Sequence, residues 1–525
     1  MKFMKLGTRP DTFYTEEATR TVISDAPTDL IIKINNITYL IHKLQFPLLP
    51  NCGLLQRLCS NNADKISIEL HDIPGGDEAF ELCAKFCYGI TINLSAHNFV
   101  SAFCAAKFLQ MSEESTANGN FIAKLETFFL SCILAGWKDT IVALRSAVGL
   151  SEWSDNLGIT RKCIDSIVEK ILTPPPKVTW SYTYTRPGYN KKTHRSVPKD
   201  WWTEDIADLD VDLFRCIIVA ISSTCMLPPP LIGEALHVYA CRWLPDISAQ
   251  SNSVKNRQIL ETLISLIPPD QESISVSFSL RLLSLANLLG ASSVTKTEVI
   301  MRCSALLEEA TVSDLLFASH SASNDDGGDE HCHDVDLVVA VLESFLMAWR
   351  RQSPAADENA QLLISIRKVG KLIDSYLQVV ARDRTMPVAK MIYLAEALPE
   401  VARPNHDDVY KAINIFLKEH PYLSKADKKR LCRVLNCQKL SADVRAHAVK
   451  NERLPLRTVV QVLFFEQEKG NSKTSSRVAA ASDELRSRPD EKLRRSASTR
   501  SRHKVAEADK DEMNTKHSLE SRRNP

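Results

Sequence analysis

Arg430 to Gln467 reads RLCRVLNCQKLSADVRAHAVKNERLPLRTVVQVLFFEQ, and its apolar spacing describes helices rather than strands. Ser441 stands where an N-cap belongs. Ala442, Val444, Ala446, Ala448 and Val449 then make a small-residue helix that lets a neighbour approach closely. Pro455 suits a helix's first turn, where its missing N–H leaves no bond unmade. Val459, Val460, Val462, Leu463, Phe464 and Phe465 follow, an apolar run that predicts a helix buried on most sides. Glu452 and Arg453 just before it read either as a buried or interface ion pair or as a solvated loop pair. Neither reading gives them chemistry, so the stretch is a packing and partner surface.

The same stretch resembles the carboxyl-terminal core of the plant proteins named for non-phototropic hypocotyl three and root phototropism two, which join a BTB/POZ domain to a long helical domain. Further blocks carry the likeness: FSLRLLSLANLLGA at 278–291, LEEATVSDLL at 307–316, Asp334 to Val338, YLAEALP at 393–399, and Asp407-Asp408 leading into His420-Pro421. Ser424 with Asp427 resembles a capping box in which Asp replaces the usual Glu or Gln. Cys437 stands where some relatives have tyrosine.

The chain has 525 residues, 44% hydrophobic and 25% charged, with a formal net charge of +1. That length holds more than two core-forming domains. A near-neutral balance argues against a dedicated nucleic-acid binder, which needs a basic domain face. There is no run of eighteen apolar residues, and MKFMKLGTRPDTFY lacks a signal peptide's apolar segment, so a cytoplasmic protein is expected. The fourteen cysteines form no C-x-x-C pair. Those such as Cys83, Cys87, Cys216 and Cys225 read as small buried hydrophobes in a reducing compartment. His331-Cys332-His333 follows an Asp/Gly-rich run without a second half-site at zinc spacing, and reads as a solvated loop. No metal or cofactor is expected.

Residues 25–112 have a mixed pattern, after an N-terminal extension at 1–24. Asp29 to Ile34 and Thr38 to Ile41 are β-rich runs separated by the turn signal Asn35-Asn36, which predicts a hairpin. Ile66 to Leu70 alternates like a strand. A helix from Phe80 to Tyr88 stops at Gly89, and another runs from Phe99 to Met111. This order, with Asp29, His42-Lys43, Phe86-x-Tyr88-Gly89 and Ala106-x-x-Leu109-x-Met111, resembles a BTB/POZ domain. The resemblance implies homo- or heterodimerisation and docking to cullin-3. One departure bears on docking: Cys59 to Asp64 replaces the hydrophobic-x-Glu element that cullin-binding relatives carry after the helix ending near Leu58. Leu58 and Asp64 thus bracket the candidate cullin surface.

Residues 113–173 read as further helices. Pro174 to Lys199 is a linker carrying Trp180, Tyr182, Tyr184 and Tyr189 among cations. Stacking single-stranded nucleic acid is one reading, but the stretch is short and lacks a recognition fold, so a linker folded onto a neighbour is expected and no nucleic-acid partner is assigned. Asp200-Trp201-Trp202 opens an all-helical domain, 200–467, with little strand pattern. Trp201 and Trp202 read equally as a partner hot spot or a packed domain edge. The fold class expected is therefore an α+β BTB/POZ domain, a large all-α domain, and a disordered charged tail at 468–525, which has too little apolar surface to offset its ordering entropy.

Within the tail, Arg494-Arg495-Ser496-Ala497-Ser498 suits a basic-directed kinase. Phosphate on Ser496 or Ser498 would add about −1.5 to −2 charge and create a ligand for a 14-3-3 protein. The same cations would touch an anionic membrane, peripherally at the plasma membrane, and phosphate would weaken that contact. An ordinary solvated tail is the plain alternative. Phosphate loops, nucleophile elbows and zinc-protease motifs do not occur. The expectation is a noncatalytic, substrate-specific adaptor of a cullin-3 ubiquitin ligase. By resemblance, its clients are receptor kinases, related adaptors or auxin-transport components in phototropic and auxin signalling. The alternative is a membrane-associated scaffold that assembles the same partners without cullin.

Overall fold

Asn35, with φ +52°, turns the chain between strands β4 (Leu30–Ile34) and β5 (Ile37–Ile41), which pair antiparallel with Ile34 opposite Ile37. A two-residue turn needs positive φ, and Asn tolerates it. Every second residue of β4 is buried, as a half-covered strand requires. These features come from a computed structural model that describes residues 2–43, 48–60, 67–111, 119–187, 189, 196–244, 253–317, 333–352 and 360–467. By contacts the chain divides into Met1–Val462 and Leu463–Pro525; of the second unit, 463–467 are described and helical.

The sheet around the hairpin has five strands. In order they are β2 (Phe13–Glu16), β3 (Thr19–Val22), β5, β4 and β6 (Ser67–Leu70), with β3 parallel to β5 and β6 parallel to β4. A separate antiparallel pair joins β1 (Phe3–Leu6) to β7 (Ile92–Ser95). The N-terminal segment 1–24 joins this part of the fold. Residues 1–24 supply three strands, and β3 is hydrogen-bonded directly to the hairpin.

The likeness-bearing residues of this unit meet one another. Asp29 Oδ1 accepts the Lys43 N–H at 2.6 Å, tying the two ends of the hairpin. The buried His42 ring touches the Ala26 carbonyl at 3.0 Å and the Tyr88 hydroxyl at 3.3 Å, while its backbone N–H donates to that hydroxyl at 3.0 Å. Tyr88 caps the Gly76–Cys87 helix, and Gly89 follows at φ +69°, a left-handed conformation that glycine adopts at no steric cost. Phe80 of the same helix stacks edge-on against Tyr39 at 4.9 Å. The sheet, this helix and the Phe99–Phe108 helix share one core.

After Ser95 the described residues contain helices and no further strand. Helices Phe121–Phe128, Trp137–Val148 and Ile159–Ile171 follow the mixed unit. The helical body includes Val211–Thr224, Pro229–Trp243, Val276–Leu288, Val335–Gln352, Ala360–Val380 and Asp407–Glu419. Among the described residues no helix is long and apolar enough to cross a membrane. Eight of the described cysteines are buried, but Cys216, Cys225 and Cys241 are exposed. For Cys216 and Cys225 this corrects the buried reading: the Val211–Thr224 helix buries Phe214, Ile217, Ile218 and Ile221, which leaves Cys216 on its outer face, and Cys225 lies just past its end.

Candidate partner-binding surfaces

Two fused halves need a junction, and the tryptophans make it. Trp201 and Trp202 are 1% and 0% exposed, so they pack a domain edge and offer no surface to a partner. Trp201 meets Trp137 of the Trp137–Val148 helix at 4.7 Å between ring centroids, with Trp180 and Tyr182 of the linker each at 5.6 Å. The buried Asp205 carboxylate holds the cluster together. Its Oδ2 accepts the Trp137 indole N–H at 2.6 Å and the Thr183 amide at 3.0 Å. Nearby, Arg186 bridges Asp200 at 2.9 Å and Glu234 at 2.7 Å. The described part of the linker therefore folds onto the helical body. Lys191, Lys192, His194 and Arg195 lie outside the described residues.

A second cluster sits inside the helical body. Gly370 of the Ala360–Val380 helix lies so close to the turn at Glu400–Ala402 that a Cβ there would come within 2.7 Å of the Ala402 carbonyl oxygen. That approach brings Arg403 over Asp374. Arg403 Nε donates to both carboxylate oxygens at 2.9 and 3.1 Å and Nη2 to Oδ1 at 2.7 Å, while Nη1 donates to the Ala395 carbonyl. Burial pushes the Asp374 carboxyl above its ordinary range, against the pull of Arg403. Beside it, burial and then Arg403 and Lys439 depress His406 to about 4. The neutral ring is the useful form, since its Nδ1 accepts the Asn436 amide at 3.2 Å. Both sets are buried and fully engaged, as structural groups are.

The 430–467 stretch contributes a third arrangement. Ser441 accepts the Val444 N–H, and Ser424 accepts the Asp427 N–H at 3.0 Å, as N-caps do. Asn451, buried, donates to Asn414 Oδ1 at 2.9 Å and to the Tyr410 hydroxyl at 3.2 Å, and Tyr410 contacts His447 Nδ1 at 2.6 Å. Asn451 Oδ1 also accepts the Arg453 N–H at 3.2 Å. Asn451 thus pins the turn at 451–454 to the Asp407–Glu419 helix. Asn451→Ala should cost about 1–3 kcal/mol, because it strips partners from buried polar groups. A urea titration that leaves the midpoint unmoved would contradict this.

Residues 456–467 are helical, but the expectation of burial on most sides is corrected. Leu454, Thr458 and Val462 turn inward, whereas Leu456 is 79% and Val460 54% exposed; Leu463 and Phe464 of the second unit are also exposed. A helix docked by one face leaves its other face in water whatever its composition. Glu452 and Arg453 are exposed, in keeping with a solvated loop. Leu58 is half-buried near the end of the Gly53–Ser60 helix. Asp64, Ser496, Ser498, His331 and Cys332 lie outside the described residues. No group of metal-ligating side chains occurs among those described.

The comparisons fit this architecture. The NPH3 family model matches residues 200–444. A BTB/POZ domain-containing protein of Arabidopsis thaliana is 62% identical over 492 residues, covering 91% of this chain and 87% of that one. The chain belongs to the plant BTB/POZ–NPH3 family. Two more relatives from the same plant widen the sample. The phototropic-responsive NPH3 family protein NPY1 is 39% identical over 503 residues (92% and 84% covered), and root phototropism protein 3 is 34% identical over 583 (88% and 77%). No solved structure matches the chain. In this BTB/POZ–NPH3 protein the match to the family model begins at Asp200, next to Trp201, so the junction sits at the seam between the two parts.

Proposed function

We propose that this chain is a noncatalytic adaptor that pairs through its BTB/POZ unit, docks cullin-3 through that unit, and offers the helical body to a client for ubiquitin transfer. Family membership supports the reading, and the observation that carries it is the tryptophan junction. A buried indole cluster tied by Asp205 fixes one half against the other, so a client on the helical body keeps a set geometry to a scaffold on the BTB unit. Holding two binding modules at fixed spacing raises local concentration without new chemistry. The names of two relatives, a phototropic-responsive protein and a root phototropism protein, support phototropic signalling as the pathway. Ser496 or Ser498, once phosphorylated, would add a 14-3-3 contact in the tail.

One observation favours the rival scaffold without cullin: the sequence after Leu58 lacks the hydrophobic-x-Glu element. Titration of the full chain with the purified cullin-3 amino-terminal domain separates the two. Binding at micromolar protein that is lost in Leu58→Asp and weakened in Arg57→Glu, which changes an exposed side chain on the same helix, is the expected result. No binding at that concentration leaves the scaffold.

A further inference from the structure

The outer face of helix 456–462 is an apolar ridge with exposed positive charge beside it. Between His420 and Val462 there are ten Lys and Arg against three Asp and Glu, in a chain whose net charge is only +1. Lys439 is engaged with Glu400 and Arg445 is buried. Lys429, Arg433, Arg453 and Arg457 are exposed, and among the described residues none reaches a carboxylate at ion-pair distance. Cys432 of the Lys425–Arg433 helix is buried close to the inward-facing Thr458, so the two helices adjoin on the inner side. Arg453 and Arg457 flank Leu456 directly.

We propose that Leu456 and Val460, with the exposed Arg453 and Arg457 beside them, dock an acidic amphipathic helix of a partner protein. An aliphatic ridge wants an aliphatic stripe, and unpaired cations want carboxylates placed beside it. A second copy of this chain would bring like charges together around the ridge, which costs affinity. A bilayer is a poorer fit because an interfacial helix sinks about 5–10 Å into the headgroup boundary. Here Leu454, Thr458 and Val462 anchor the opposite face inside the domain, so the helix cannot sink. The surface is separate from the BTB unit, and the proposal holds whether or not the chain meets a cullin.

The test is fluorescence polarisation of the full chain with a fluorescein-labelled helical peptide carrying leucines at i, i+3, i+4 and i+7 and glutamates elsewhere, beside the same peptide with lysines for glutamates. The glutamate peptide should bind, weaken with added salt, and lose tenfold or more in affinity to Leu456→Glu and to the Arg453→Glu/Arg457→Glu pair. All three side chains are exposed, and unchanged circular dichroism confirms the fold. Equal binding of the two peptides, or binding indifferent to these changes, overturns the proposal. So does cosedimentation with vesicles containing phosphatidylserine, or a concentration-dependent dimer, if Leu456→Glu abolishes it.

Discussion

Arg403→Met should cost about 3–5 kcal/mol of folding stability, because removing one partner of a buried ion pair strands the other. Arg403 and Asp374 are each only about 5% exposed, so water cannot replace the lost guanidinium. The Ala395 carbonyl loses its donor as well. Replacing both, as Asp374→Leu with Arg403→Met, should recover much of the loss, since an apolar pair of similar volume carries no unpaired charge. Denaturant midpoints of the two single variants and the double variant give the coupling directly. Acidity adds a second signature. Without Arg403 the Asp374 carboxyl, already raised by burial, is raised further and binds a proton in the fold at a pH where the unfolded chain has released it. Stability of Arg403→Met then falls as pH rises from the ordinary carboxylate range through the raised value, so its deficit should be larger at neutral pH than in mild acid. A deficit below about 1 kcal/mol, the scale of an exposed pair, would mean that the pair is solvated after all.

How much of this was legible in advance depended on whether the signal was local. The β4–β5 hairpin was, because period-two burial and an Asn-Asn turn lie within thirteen residues. Ser424, Ser441 and Gly89 were legible for the same reason: each cap is satisfied by a neighbour three or four positions away. Strands β1–β3 were not. Four-residue runs such as Phe13–Glu16 and Thr19–Val22 bury little, and they become strands only by pairing with each other and with a hairpin that is already formed. The Asp374–Arg403 pair spans 29 residues, but half of it left a trace. Asp374 stands among Gly370, Ile373 and Leu377 on the buried face of its helix, and a carboxylate in that register calls for a cation.

The helix at 456–467 failed in the opposite sense. Composition says how apolar a helix is, and burial depends on what the rest of the chain lays against it. Thr458, the least apolar of the residues at 458–460, is the one turned inward, toward Cys432, while Val460 faces out. Large contiguous apolar patches left in water mark interaction surfaces, whereas single exposed apolar residues are ordinary.

Trp201→Ala should be as damaging as the loss of Arg403, and its effect should reach further. Removing a buried indole costs about 3–5 kcal/mol through lost transfer energy and the cavity left behind. Trp201 is the shared neighbour of Trp137, Trp180 and Tyr182, so the cavity opens where the helices after the BTB unit, the linker and the helical body converge. A protein whose two parts unfold as one block should then show two transitions, with the linker cut by protease before either part. Asp205→Asn provides the control: it keeps the volume and an acceptor for the Trp137 N–H but weakens a charge-assisted bond, so a loss of about 1–2 kcal/mol and a single transition are expected. If Trp201→Ala instead unfolds in one step with an intact linker, the coupling between the halves lies elsewhere, and the fixed geometry on which an adaptor would rely is not set by this cluster.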